Sequence, residues 1–170
     1  IIIIIINAVP TASFTLDDPV CVDQTSNILF TGSAGSGATF DWGFDSGTIN
    51  SGTNQGPFDV SWSTSGTKTV TLTVTENDCI SDPFSLTTEI TDPIADPIID
   101  CESTDTSVIF SWLDVAGATG YSVSGPAGTM VGNTYEIFGL LPGTEVGITV
   151  TAETDNPCGS SSAFANCIAS

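Results

Sequence analysis

GPFDVSWSTSGTKTVTLTVTENDC, residues 56–79, alternates apolar and polar side chains twice over. Phe58, Val60 and Trp62 fall on one side of the first run, with Asp59 and Ser61 on the other. After the turn signal STSGT, Val70, Leu72 and Val74 fall on one side and threonines on the other. A period of two is that of a strand with one buried face, because successive side chains point to opposite sides of the sheet.

The same period spreads in both directions. Phe40, Trp42 and Phe44 share a face of TFDWGFD, opposite Asp41, Gly43 and Asp45, and shorter strands fit ASFTL and NILFTG. GSAGSG, DSGT and NSGTNQG supply turns between them. At EITDPIADPIID, two Asp-Pro pairs make a stiff, extended connector, since proline fixes its own backbone and restricts the residue before it. Beyond it the alternation restarts: Val108, Phe110 and Trp112, then Tyr121 and Val123, Tyr135 and Ile137, and Val146, Ile148 and Val150, with SSAFANC as a last strand. The expected fold is all-β, two tandem immunoglobulin-like β-sandwiches of about seven short strands each. The expected division is an apolar extension or extra strand over 1–9, a sandwich over 10–91, a linker over 92–97 and a sandwich over 98–170.

Composition removes whole classes of function. Twenty acids stand against one base, Lys68, for a formal charge of −19, with no histidine. Nucleic acid is excluded as a partner, because a phosphate backbone is held by rows of Lys and Arg. An anionic membrane surface would repel the chain. The longest apolar run, six residues, is far short of the ~20 that span a bilayer, and it lacks the basic flank of a signal peptide. The chain does not open on Met, which fits a processed product or an excerpt of a longer protein. Without histidine no Ser–His or Cys–His pair can form. Asp17/Asp18 and Asp41/Asp45 are carboxylate pairs, but nothing in the pattern builds a cleft around them, so they are read as loop solvation and the chain as non-catalytic.

Five cysteines, at 21, 79, 101, 158 and 167, are widely spaced with no CxxC, which points to disulfides in an oxidising, extracellular or cell-surface setting rather than to zinc. Asp92, Asp96 and Asp100 flank the connector, with Glu89 and Glu102 nearby, and are the candidate calcium ligands, since calcium takes hard oxygen donors. No other cofactor is indicated. Trp42, Trp62 and Trp112 fall on inward faces, which leaves Phe84 and Phe164 as the exposed aromatic candidates for binding sugar.

PTASFTLDDPVCVDQT (10–25), ATFDWGFDSGT (38–48) and residues 56–79 together resemble a PKD domain, in the variant common in large bacterial surface proteins exported by the type IX route. Where that family carries W-D-F-G-D-G, this chain has Trp42-Gly43-Phe44-Asp45-Ser46-Gly47. TSVIFSWLDVAGATGYSVS (106–124) and TYEIFGLLPGTEVGITVTA (134–152) resemble a fibronectin type III domain, with Val146 where that family usually has tyrosine. The first resemblance implies a Cys21–Cys79 bridge. The second implies Cys101–Cys167, with Cys101–Cys158 as the alternative, and Cys158 as the favoured odd thiol.

That leaves Ile1, Ile2, Ile3, Ile4, Ile5 and Ile6. Six residues suit one strand of ~20 Å, and isoleucine on both faces asks for burial on both sides. A terminal strand of this kind suits addition to a neighbouring subunit, so the six are the candidate polymerisation strand. The run equally fits a processing remnant or a uniform stand-in for six residues of other identity. The function expected from all of this is a non-catalytic subunit or repeat of a bacterial surface fibre or adhesin. Its partners would be copies of itself, joined head to tail, or neighbouring repeats. The alternative is an accessory carbohydrate- or protein-binding module of a larger secreted protein.

Overall fold

In the computed structural model, which describes residues 7–170, the described residues form strands and no helix, so none is long and apolar enough to cross a membrane. The expected polymerisation strand, Ile1–Ile6, lies outside the described residues. The chain divides into two units, one ending at Asp92 and one running from Pro93 to Ser170.

The first unit holds β1 (Phe14–Thr15), β2 (Val20–Cys21), β3 (Thr25–Phe30), β4 (Thr39–Gly43), β5 (Thr48–Ser51), β6 (Phe58–Ser61), β7 (Gly66–Glu76), β8 (Cys79–Ile80) and β9 (Phe84–Thr91). One sheet runs β1-β3-β6-β5 and the other β2-β9-β7-β4, with β8 also on β7. The second unit holds β10 (Ile99–Ser103), β11 (Ser107–Trp112), β12 (Gly120–Ser124), β13 (Thr129–Val131), β14 (Thr134–Phe138), β15 (Glu145–Glu153) and β16 (Ser161–Ile168). Its sheets run β10-β11-β14-β13 and β12-β15-β16. With strands lettered in chain order, each unit sets A-B-E-D against C-F-G, the order of a constant-type immunoglobulin sandwich. In the first unit the A strand is divided between the two sheets as β1 and β2.

Alternation decides which side chains meet between the sheets. Ile28, Val60, Val70, Leu72 and Val74 are fully buried, and burying each contributes roughly 1.5–3 kcal/mol. The threonines between them on β7 face outward, apart from the core, where β-branched side chains still suit a pleated surface. Aromatic rings close one side of this core: Phe14 lies 5.1 Å from Trp42 and 5.2 Å from Phe84, and Trp42 stacks on Phe44 at 5.8 Å. Trp62 is buried as expected and donates from Nε1 to the Phe44 carbonyl at 2.8 Å. Trp42 is only half-buried, and its Nε1 donates to the Asn54 carbonyl at 3.0 Å. Phe84 is not an exposed platform but is half-buried against the core. In the second unit Val108, Phe110, Trp112, Ile137, Ile148 and Val150 form the core.

Cys101 on β10 is bonded to Cys167 on β16, joining the two sheets of the second unit with Cα atoms 6.1 Å apart. The expected Cys21–Cys79 bridge is not formed, because Cys79 is a free thiol. The register shows why. Cys21 pairs with Thr91, just past the Gly66 end of β7, whereas Cys79 pairs with Glu76 at its other end. About eleven steps of ~3.3 Å separate the two levels, and a disulfide needs Cα atoms within about 7 Å. The odd thiol is therefore Cys79 rather than Cys158.

Candidate functional site

The A strand of the first unit changes sheets partway. Thr11 bridges Ser33, and Phe14 and Thr15 pair with Phe30 and Leu29 of β3. After Leu16–Pro19 the chain lies parallel to β9, with Val20 opposite Ile90 and Cys21 opposite Thr91. So β2 covers the outer edge of β9 only at its last two residues. Just above them the Asp18 carboxylate accepts from the Glu89 N–H at 2.7 Å, which shows that the backbone of Glu89 points away from β7. Antiparallel ladders alternate, so the N–H and C=O groups of Thr87 and Ser85 point the same way. Among the described residues no strand pairs with them there.

This open edge runs up to a bulge. Thr75 pairs with Ile80, but Leu72 pairs with Phe84, so one extra residue is inserted between β8 and β9. Ser81 anchors the bulge: its N–H donates to the Val74 carbonyl at 2.8 Å and its Oγ accepts from the Val74 N–H at 3.0 Å. Bulges at edges re-aim side chains or end pairing. Between the bulge and the start of the A strand lies a cavity of about 340 Å³, with Val9, Pro10 and Ala12 on one wall and Ser81, Pro83 and Phe84 on the other. The chain reaches this wall from the pole of the sandwich, where Asn7 Nδ2 donates to the Asn77 carbonyl at 3.4 Å. Asn77 and Asp78 form the two-residue turn between β7 and β8, both at positive φ (48° and 64°), as such hairpins require. Val9 and Ile80 are largely exposed at this end. The arrangement offers backbone that no described strand pairs beside a mostly apolar slot, which Thr11, Ser81 and Asp82 also line, and that is the chemistry of strand addition.

Three of the four carboxylates read from sequence as loop solvation, Asp17, Asp18 and Asp45, are backbone caps. Besides Asp18 on Glu89, Asp17 Oδ2 accepts from the Asn27 N–H at 2.9 Å, and Asp45 Oδ2 accepts from the Thr69 N–H at 2.9 Å. Asp59 ties three strands, taking Ser51 Oγ at 2.6 Å and Asn27 Nδ2 at 3.1 Å. These two hydrogen bonds, Ser51 first, hold its carboxyl below the usual value of 3.8. The candidate calcium ligands are divided between the two units. Asp92 ends the first unit, where Ser65 Oγ donates to it at 2.6 Å, while Asp96 and Asp100 belong to the second. Among the described residues no three acidic or cysteine side chains are placed to hold a metal ion.

In the second unit Phe164 is 69 % exposed on the outer face of β16, opposite Thr149. Its ring lies over Gly147, where a Cβ would sit 2.6 Å from the ring edge. The sequence did not reveal the slot. Its one signal was Asp82-Pro83, since proline inside a β pattern marks an edge or a bulge.

No family model and no curated protein matches the chain. Among solved structures it is similar to the full ectodomain (Ig1–Ig3) of mouse nectin-like molecule 4, at 12% identity and TM-score 0.39, over 94% of this chain and 64% of that one. The chain thus spans just under two thirds of that ectodomain. It is also similar to a chain in the complex of the mouse coronavirus receptor-binding domain with its murine receptor, at 13% identity and TM-score 0.44, over 93% of this chain and 99% of that one.

Proposed function

We propose that this chain is a non-catalytic structural module of an extracellular or cell-surface protein, a repeat or subunit of a bacterial surface fibre or adhesin, which holds a neighbouring copy through its N-terminal strand. The observation that carries the reading is the pole of the first sandwich, where the chain comes in from six isoleucines past Asn77, beside an open strand edge. The Cys101–Cys167 bridge supports an oxidising setting. The PKD-like and fibronectin type III-like patterns of the two halves suit a module that spaces or links rather than reacts.

The test is the mass in solution, with electron micrographs, of the full chain and of the chain lacking residues 1–9. The full chain is expected to assemble and the truncated one to stay monomeric. If both are monomers at equal concentration, strand donation fails.

A second reading rests on Phe164, whose exposed ring lies over Gly147 and whose register partner is Thr149. An aromatic face among hydroxyls is a surface on which a sugar ring can stack. It predicts that a monomer binds polysaccharide and that Phe164→Ala abolishes the binding.

A further inference from the structure

We infer that the slot between residues 9–12 and the outer edge of β9 receives the Ile1–Ile6 segment of a second copy, in a reciprocal two-fold exchange. The inference rests on the strand donation proposed above, names its acceptor and its symmetry, and makes a closed pair, rather than head-to-tail growth through this strand, the unit from which a fibre or adhesin is built.

Three observations carry it. The first is length. The open edge from Asp82 to Thr88 lies between the bulge and the Asp18 cap, ~23 Å of strand, and six residues of donor span ~20 Å. The second is chemistry. Ser85 and Thr87 present backbone groups that no described strand pairs, and Val9, Pro10, Ala12, Pro83 and Phe84 give the slot most of its lining, apolar contact for alternate isoleucines. β5 is an open edge too, but all four of its residues are exposed, so a strand laid there would gain hydrogen bonds without burial.

The third observation is direction. β2 and Asp18 close the slot at the Glu89 end, so its mouth is at the Asn77 pole, the pole at which Asn7 enters. Donor and acceptor share one pole. Two copies that face each other there exchange strands in both directions, an isologous contact that closes on itself. Growth head to tail would need a mouth at the opposite pole. A copy does not fill its own slot through a type I′ turn at Asn7–Ala8, which takes positive φ at both central residues, because Ala8 does not have it.

The double variant Ser85→Pro/Thr87→Pro tests this in the full chain. It removes two N–H groups that point away from β7 and leaves the β7–β9 ladder intact, as proline at an edge can. The measurements are mass by light scattering and the melting temperature. The expected wild type is a dimer, the chain lacking residues 1–6 a monomer, and the proline variant a monomer with an unchanged melting temperature, its dissociation constant raised roughly 100-fold or more. Should the proline variant fail to fold, Ser85→Lys/Thr87→Lys decides, since charge at an edge blocks pairing without touching the backbone. If edge variants dimerise like wild type while the truncated chain does not, the acceptor is elsewhere and only this inference falls. Open filaments would overturn the two-fold exchange. A monomeric full chain whose melting temperature drops on truncation would place the strand in its own slot, and full and truncated chains that are equally monomeric would overturn the donation reading as well.

Discussion

Trp62 and Trp112 are both buried, and they differ in one hydrogen bond. Trp62 Nε1 reaches the Phe44 carbonyl, whereas Trp112 Nε1 is buried without a partner. Trp→Phe at either site loses similar apolar contact. At 62 it also breaks a bond worth ~1 kcal/mol, while at 112 it removes an unmet donor that costs ~1–3 kcal/mol. Trp62→Phe is therefore expected to destabilise by about 2–4 kcal/mol more than Trp112→Phe, as measured by denaturant unfolding; equal losses would contradict the assignment. Asp59 gives a second residue-scale test. Its pKa is lowered in the folded state, so the unfolded chain binds the proton more tightly. Its contribution is complete above the unfolded value of 3.8 and is lost as pH falls below that, through the folded value. Acid titration below pH 3.8 should destabilise wild type more steeply than Asp59→Asn, and parallel curves would show that the Ser51 and Asn27 bonds do not hold the carboxylate. That these residues are acidic was plain in the sequence. Their capping roles were not, because a cap depends on where a distant strand edge ends, as Asp18 on Glu89 shows.

Among the elements, β7 was the most legible. Val70, Leu72 and Val74 alternate with threonine, the period fixes the face, and all three are fully buried. Less legible was the relation between elements of unlike length. Cys21 and Cys79 each sit beside a strand of the same sheet, and only the register of the eleven-residue β7 reveals that they lie at opposite ends of it. The bulge at Ser81 was hidden for the same reason, since one inserted residue leaves the flanking alternation readable on both sides. The Cys101–Cys167 bridge spans 66 residues, and closing a loop of that size constrains the unfolded chain by ~4 kcal/mol in the chain-entropy model. Cys101→Ala/Cys167→Ala is expected to lower stability by roughly 2–5 kcal/mol, whereas Cys79→Ser should change it by under ~0.5 kcal/mol. Denaturant unfolding followed by circular dichroism checks both. A large loss from Cys79→Ser would mean that this thiol is not free.

At the scale of the whole molecule, charge and the apolar strand act against each other. Each copy carries −19 with one lysine among twenty acids, so two copies repel at any face they bring together. A strand that adds to a neighbour's edge gains backbone hydrogen bonds and buried isoleucine, neither of which salt screens. The repulsion is screened, with a Debye length that falls from ~10 Å at 0.1 M to ~3 Å at 1 M. Self-association through the N-terminal strand should therefore tighten as sodium chloride rises, with a dissociation constant that falls steadily between ~0.05 and ~0.5 M. Contacts held by ion pairs would move the other way, and a chain with a single lysine can form few of them. Sedimentation equilibrium across that salt range separates the two. A constant that rises with salt would mean the copies are held by charge, and the apolar strand would lose its role. A constant that falls in the full chain, with no association at any salt once residues 1–6 are removed, would locate the attraction in the isoleucines and the opposition in the acidic surface.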